Sequence, residues 1–203
     1  DNNQVLVSGK STLTATISTS QKATGKYSAT MQSYTMTING VSQSQAYSTS
    51  AITKNLGTVT LSTQETTNTI KSLVITAIDS RGKSTSVTKD ITVIPYRAPI
   101  VNASATRENG FENNTTIKIS GTFSPILVSN VAKNNVSTST GVKYRYKKAS
   151  ETTWSSWTTK TATVNRTNGT VSVADFVIAL DNQEAWNFEI AIIDLLETTT
   201  TSL

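Results

Sequence analysis

Leu73-Val74-Ile75-Thr76-Ala77-Ile78-Asp79-Ser80-Arg81-Gly82-Lys83-Ser84-Thr85-Ser86 has the pattern of two strands joined by a tight turn. An apolar run closes on Asp79, breaks at Ser80-Arg81-Gly82 and continues through hydroxyl residues, as a strand, a tight turn and a return strand do. The return strand is predicted from Val87 to Ile94, with Val87, Ile91 and Val93 on one face. Lys89 falls on that same face, so the register predicts a bulge or a strand edge there. Near the other end of the chain, Phe188-Glu189-Ile190-Ala191-Ile192-Ile193-Asp194-Leu195 aligns with Leu73 to Ser80. Both copies end in Asp and lead into a hydroxyl tract, but Leu195-Leu196-Glu197 replaces Ser80-Arg81-Gly82, so the second turn is built differently. Asp79 and Asp194 are each expected to accept hydrogen bonds from the backbone of the turn that follows.

The same alternation spreads outward from these two passages. Leu13, Ala15 and Ile17 alternate with Thr14, Thr16 and Ser18, and Tyr34, Met36 and Ile38 alternate with Thr35, Thr37 and Asn39. Asn39-Gly40 then tolerates the positive φ angles of a type I′ turn, with Val41-Ser42-Gln43-Ser44 returning. In the second half, strands are expected through Ile117, Ile119 and Phe123, over Val142 to Lys148, through Val171, Val173 and Phe176, and over Trp186 to Ile193. A short helical turn is expected between Asp175 and Trp186.

Composition agrees with strands and narrows the chemistry. Of 203 residues, 38 are Thr and 26 are Ser, and Thr favours strands over helices. Cys and His are both absent, which removes structural zinc, thiol catalysis, Ser-His-Asp triads and haem ligation. No cofactor and no metal is expected, since Asp79, Asp90, Asp175, Asp181 and Asp194 stand apart. No run approaches the roughly 18 apolar residues of a membrane helix, so no membrane insertion is expected.

The chain divides at Ile94-Pro95-Tyr96-Arg97-Ala98-Pro99, because two prolines bracket a stretch that cannot carry a sheet ladder through both ends. Residues 1–98 and 99–203 then form two units of the size of an immunoglobulin-like sandwich, about 100 residues each. The first holds nine Lys or Arg against four Asp or Glu and the second nine against nine, so the net charge of +5 belongs to the first. Its lysines are scattered without interleaved aromatics, so no nucleic-acid partner is expected. The fold expected is all-β, as two tandem antiparallel β-sandwiches.

Two passages carry a family resemblance. Val74 to Ser84 resembles the strand–Asp–turn–Gly signature of bacterial and phage immunoglobulin-like repeats, and Val142-Lys143-Tyr144-Arg145-Tyr146-Lys147-Lys148 with Trp154-Ser155-Ser156-Trp157 resembles the central hairpin of a fibronectin type III-like domain. With the Pro-bracketed junction, the whole chain resembles tandem domains of tail-tip or tail-fibre proteins of long-tailed phages of Gram-positive bacteria. That resemblance implies a virion tail location, a non-enzymatic structural or adhesive role, and other tail or baseplate proteins and bacterial cell-surface polysaccharide as partners. It transfers no catalytic residue. The alternatives are a carbohydrate-binding module, or an ancillary domain of a bacterial surface adhesin or cell-wall hydrolase, which would place it at the bacterial cell surface.

Among individual residues, Ser80-x-x-Lys83 and Ser86-x-x-Lys89 match a catalytic pattern that requires a helical turn, yet they fall on a turn and a strand. Glu108 and Glu112 flank Asn109-Gly110 in a loop, not a cleft. The aromatics of the second half carry the one binding expectation. Trp154, Trp157, Tyr144 and Tyr146 are candidates for stacking on a sugar ring, with a role in the sandwich core as the competing reading.

Overall fold

The computed structural model describes residues 5–203, and these form two compact units that divide between Tyr96 and Arg97, inside the Pro-bracketed stretch. The first unit contains β1 (Val5–Val7), β2 (Thr12–Ile17), β3 (Met31–Ile38), β4 (Val41–Ala46), β5 (Ile52–Thr58), β6 (Thr69–Asp79) and β7 (Ser84–Ile94). Five of them make one sheet in the order β1-β7-β6-β3-β4, and β2 with β5 makes a second, two-stranded layer. Leu13, Ala15 and Ile17 from the small layer meet Tyr34, Met36, Ile38, Leu73 and Ala77 from the large one in a single core. The expected alternation is therefore the sandwich interface, with Thr12, Thr14 and Thr16 turned to water.

The turns follow the sequence chemistry. Asn39 (φ 47°) and Gly40 (φ 80°) both take the left-handed conformation, and Ile38 pairs with Val41 across the hairpin they close. The β6–β7 ladder runs without a register shift from Thr69–Val93 to Ile78–Ser84. Lys89 therefore sits on the inner face because it lies at an edge and not on a bulge: β1 pairs with Thr92–Ile94 alone, and among the described residues nothing pairs with the outer edge of Ser84 to Ile91. Ile91 and Val93 on that face are buried, whereas Val87 is 66% exposed.

The second unit contains β8 (Ile100–Arg107), β9 (Asn114–Thr122), β10 (Ile126–Val128), β11 (Val131–Asn134), β12 (Val142–Lys148), β13 (Thr158–Lys160), β14 (Ala162–Asn165), β15 (Thr170–Ala179), β16 (Trp186–Ile193) and β17 (Thr198–Ser202). Two four-stranded sheets, β14-β15-β9-β8 and β13-β12-β16-β17, enclose Ile117, Ile119, Val171, Val142, Tyr144, Phe188, Ile190 and Ile192. At Gly121 a Cβ would stand 2.1 Å from the Ile100 carbonyl of the same sheet and 2.5 Å from Ile192 Cδ1 of the facing one, so no side chain fits there. The helical turn expected between Asp175 and Trp186 is absent. β15 runs as strand to Ala179, with a register shift between Val173 and Phe176, and the Asp181 carboxylate and carbonyl then accept Gln183 and Glu184 N–H groups in a turn. Short 3₁₀ turns occur instead at Thr19–Gln21 and at Glu108–Gly110, the latter presenting Glu108 and Glu112 to solvent.

The two copies of the strand–Asp pattern become two clasped hairpins. Asp79 Oδ1 accepts Arg81 N–H and Lys83 N–H, both at 2.9 Å, while Asp194 Oδ1 accepts Leu196 N–H at 2.8 Å and Glu197 N–H at 2.7 Å. The backbone closes on residue i+4 in the first turn (Asp79 N–H to Lys83 O) and on i+3 in the second (Asp194 N–H to Glu197 O), so the second is one residue shorter. The other carboxylate oxygen also differs in its partner. Asp79 Oδ2 takes the exposed Arg81 guanidinium at 3.1 Å, and Asp194 Oδ2 takes the amide of the fully buried Asn134 at 2.8 Å.

The turn N–H groups and Arg81 hold the Asp79 carboxyl below its ordinary value of 3.8, with the Lys83 amide the largest influence. A depressed folded-state value stabilises the fold above the unfolded value and loses that contribution as pH falls through the folded one. Urea unfolding of the wild type and Asp79→Asn is therefore expected to show stability falling below about pH 4 in the wild type, with a shallower fall in the variant. Equal slopes would show that the clasp does not depend on charge.

Candidate functional site

β12 divides the four candidate aromatics between its two faces. Tyr144 and Tyr146 point inward: Tyr144 is buried, 4.9 Å from Phe176 between ring centroids, and Tyr146 meets Trp186 edge-on at 5.7 Å and Phe188 at 6.0 Å. Burial pushes the Tyr144 phenol up, with Tyr146 adding to the shift. These two tyrosines close the end of the core, as the competing reading has it.

Trp154 and Trp157 lie on the opposite, outward face. After β12 the chain turns through Ala149 to Thr153 and comes back alongside it, anchored where Ser155 N–H donates to Tyr146 O at 2.9 Å and Tyr146 N–H donates to Ser155 Oγ at 3.0 Å. β13 completes the return by pairing with Val142–Tyr144. Residues 153–157 are outside regular strand geometry. That departure lets side chains three apart share a face, which a period of two forbids.

The outward side chains of β12 are Lys143, Arg145 and Lys147, and the two indoles lie among them. The Lys147 ammonium is 5.3 Å from the Trp154 ring, Arg145 is 5.0 Å from Trp154 and 4.5 Å from Trp157, and Lys143 is 4.7 Å from Trp157. The result is a ladder, Lys147–Trp154–Arg145–Trp157–Lys143, in which the guanidinium contacts both rings. Arg145 also donates Nε to Glu189 Oε2 at 2.6 Å and forms an ion pair with it, Glu189 standing directly opposite on β16. Both partners are largely shielded, at 28% and 18% side-chain exposure, which gives the pair more weight than a fully solvated one.

Sequence reasoning finds Trp154 and Trp157 but misses their partners. The signal was present in the alternation of Lys143, Arg145 and Lys147 along one strand, next to two Trp three residues apart. Strand periodicity separates the two Trp, so that alternation alone does not bring them to one face. The chain's own Lys143, Arg145 and Lys147 thus lie against the indole rings. Elsewhere, Ser80 accepts from Thr30 N–H within a turn and Ser86 pairs with Thr76, each a structural hydroxyl contact. Among the described residues no cluster of three acidic side chains is placed to hold a metal ion.

Replacing Arg145 by Lys keeps the charge and removes the planar group that contacts two indoles and a carboxylate together. Arg145→Lys is expected to lower stability by about 1–2 kcal/mol and to shift tryptophan emission, as read by thermal unfolding followed through fluorescence. An unchanged midpoint would show that the guanidinium contributes nothing that an ammonium does not.

No curated protein matches the sequence. Two solved structures are similar to it, the Streptococcus agalactiae AgI/II polypeptide BspA C terminal domain and another described as BspA_C_WT. Each is 12% identical, covers 99% of this chain and 96% of the other, and has a TM-score of 0.41, too distant to bear on function. The family "Siphovirus protein of unknown function (DUF859)" matches residues 2–199, nearly the whole sequence, and the chain belongs to that siphovirus family.

Proposed function

We propose that this chain is a non-enzymatic structural module of the phage tail, part of a tail-tip or tail-fibre protein. In this reading an immunoglobulin-like unit is followed by a fibronectin type III-like unit, which space or present the parts that contact the host. The observation that carries the reading is how the outer faces are built. Ser44, Thr35, Thr76 and Ser86 form one row across four strands of the first unit, with Thr35–Ser44 at 3.0 Å and Thr76–Ser86 at 2.8 Å between hydroxyl oxygens. Thr37–Ser42 continues the pattern one step along, and Thr16–Thr53 repeats it on the small layer, both at 3.0 Å. Such pairs favour a particular strand register and keep a sheet face wet without concentrating charge, as an extended tail surface requires. Membership of a siphovirus family supports a virion component. Gold-labelled antibody against this chain is expected to decorate the tail of intact particles in electron micrographs. Purified particles that lack the protein would overturn the reading.

A second reading, carbohydrate binding, is favoured by one observation: Trp154 and Trp157 are half-buried on an outward face beside three cations. If the ladder contacts host cell-wall polysaccharide, the double variant Trp154→Ala/Trp157→Ala loses binding in a pull-down with purified walls while remaining folded by circular dichroism. Binding that survives the double change rules out this site.

A further inference from the structure

The two layers of the first unit are unequal, and the mismatch exposes a groove. β5 sits toward β3 and β4, and β2 is the other strand of the small layer, lining one cavity together with residues of β6 and β7. No strand lies beyond β2 among the described residues, so the inner face of the first half of β7 has no cover. A cavity of about 1270 Å³ opens there, floored by Leu73, Ile75 and Val87 and walled by Leu13, Ala15 and Ile17. Thr85, Val87 and Lys89 stand directly opposite Ala77, Ile75 and Leu73, so they belong to the face that the core requires, yet all three are exposed.

We infer that this groove is completed by an extended segment of a partner polypeptide, added as a strand to the free edge of β2 and carrying an inward-facing carboxylate against Lys89. Three features select that occupant. First, the N–H and C=O groups on the edge of Thr12 to Ile17 that faces away from β5, unpaired among the described residues, are matched by another backbone, which a sugar or a small apolar molecule does not supply in register. Second, a strand placed beside β2 lies over β7 and covers Val87, whereas one added to β7 itself would widen the large layer and leave the groove open. Third, Lys89 lines the same cavity as Leu73, Ile75 and Val87 and has no carboxylate in ion-pair range among the described residues. Covering an unpaired charge is costly, and covering a paired one is much less so, so an acidic residue in the partner is the complement. The inference rests on the groove and not on the position proposed for the chain in the virion.

The probe is a pair of peptides of about eight residues that alternate threonine with valine, one with a single inward valine replaced by glutamate and the other with that valine replaced by lysine. With the whole 203-residue chain, the glutamate peptide is expected to bind by fluorescence polarisation and to shift the amide resonances of Thr12 to Ile17. Lys89→Glu is expected to weaken that peptide by about tenfold and to favour the lysine peptide instead. Val87→Arg, at another exposed position, is expected to block both peptides. Lys89→Glu and Val87→Arg alter exposed side chains, so their melting temperatures serve as the check on folding. The inference is overturned if neither peptide binds, if the charge swap leaves the preference unchanged, or if the shifted amides lie away from β2. It is overturned equally if sedimentation shows the chain closing the groove with a second copy of itself.

Discussion

A strand with alternating apolar residues presents one face that water disfavours, so its sheet requires a second layer. That constraint organises both units of this chain. In the second it is met evenly, four strands against four, and Ile117, Val136, Val142, Ile190 and Ile192 lose all contact with solvent. In the first it is met unevenly, five strands against two. Burial follows the cover and not residue type: Ile91 and Val93 are sealed while Val87, four residues before Ile91 on the same face, lies open. At about 25 cal/mol per Å² of apolar surface, leaving such a face bare forgoes stability that a third strand in the small layer would recover.

The two Asp clasps show one physical solution reached by two routes. A strand end leaves N–H groups in the following turn without sheet partners, and a carboxylate placed just before the turn accepts two of them at once. In the first hairpin Gly82 (φ 74°) allows a five-residue turn and the spare oxygen is met by Arg81 at the surface. In the second the turn is a residue shorter, and Asn134 satisfies the spare oxygen from inside while donating also to Ser124 O and accepting from Leu195 N–H. The buried amide takes the place of an exposed guanidinium, although both aspartates are themselves buried.

How much of this was legible follows from the range of each interaction. The Asn39-Gly40 hairpin and the Asp79 turn are set by neighbours in sequence, and the residues themselves announce them; at Asp194 they announce only that the turn is built differently, and its being one residue shorter comes from the structure. The edge at Lys89 was legible as one of two options, because a cation on an apolar face marks either a bulge or an uncovered strand. Strand order decides between the two, and a sequence does not state its strand order. The helical turn expected before Trp186 does not form, since strand pairing holds Ile178 and Ala179 opposite Thr115 and Asn114 on β9. At the candidate site, the split of Tyr144 and Tyr146 from Trp154 and Trp157 depends on where a non-strand arm lies back across β12. That position is fixed by the Ser155–Tyr146 hydrogen bonds, for which no spacing rule exists.

Charge is used differently by the two units. In the second, nine basic residues face nine acidic ones, and several cations are committed internally, Arg145 to Glu189 and two indoles, Lys148 to Glu184 at 3.0 Å, and Lys118 to Asp175 at 3.3 Å. Residues 1–98 keep nine against four, and that unit also contains the bare apolar face. An unbalanced positive field draws acidic chains from beyond contact range, to about 10 Å at moderate salt, and a free strand edge holds a backbone once it arrives. Long-range attraction and short-range pairing thus coincide in the first unit. In the second, Lys143, Arg145 and Lys147 are arranged to hold its own Trp arm in place.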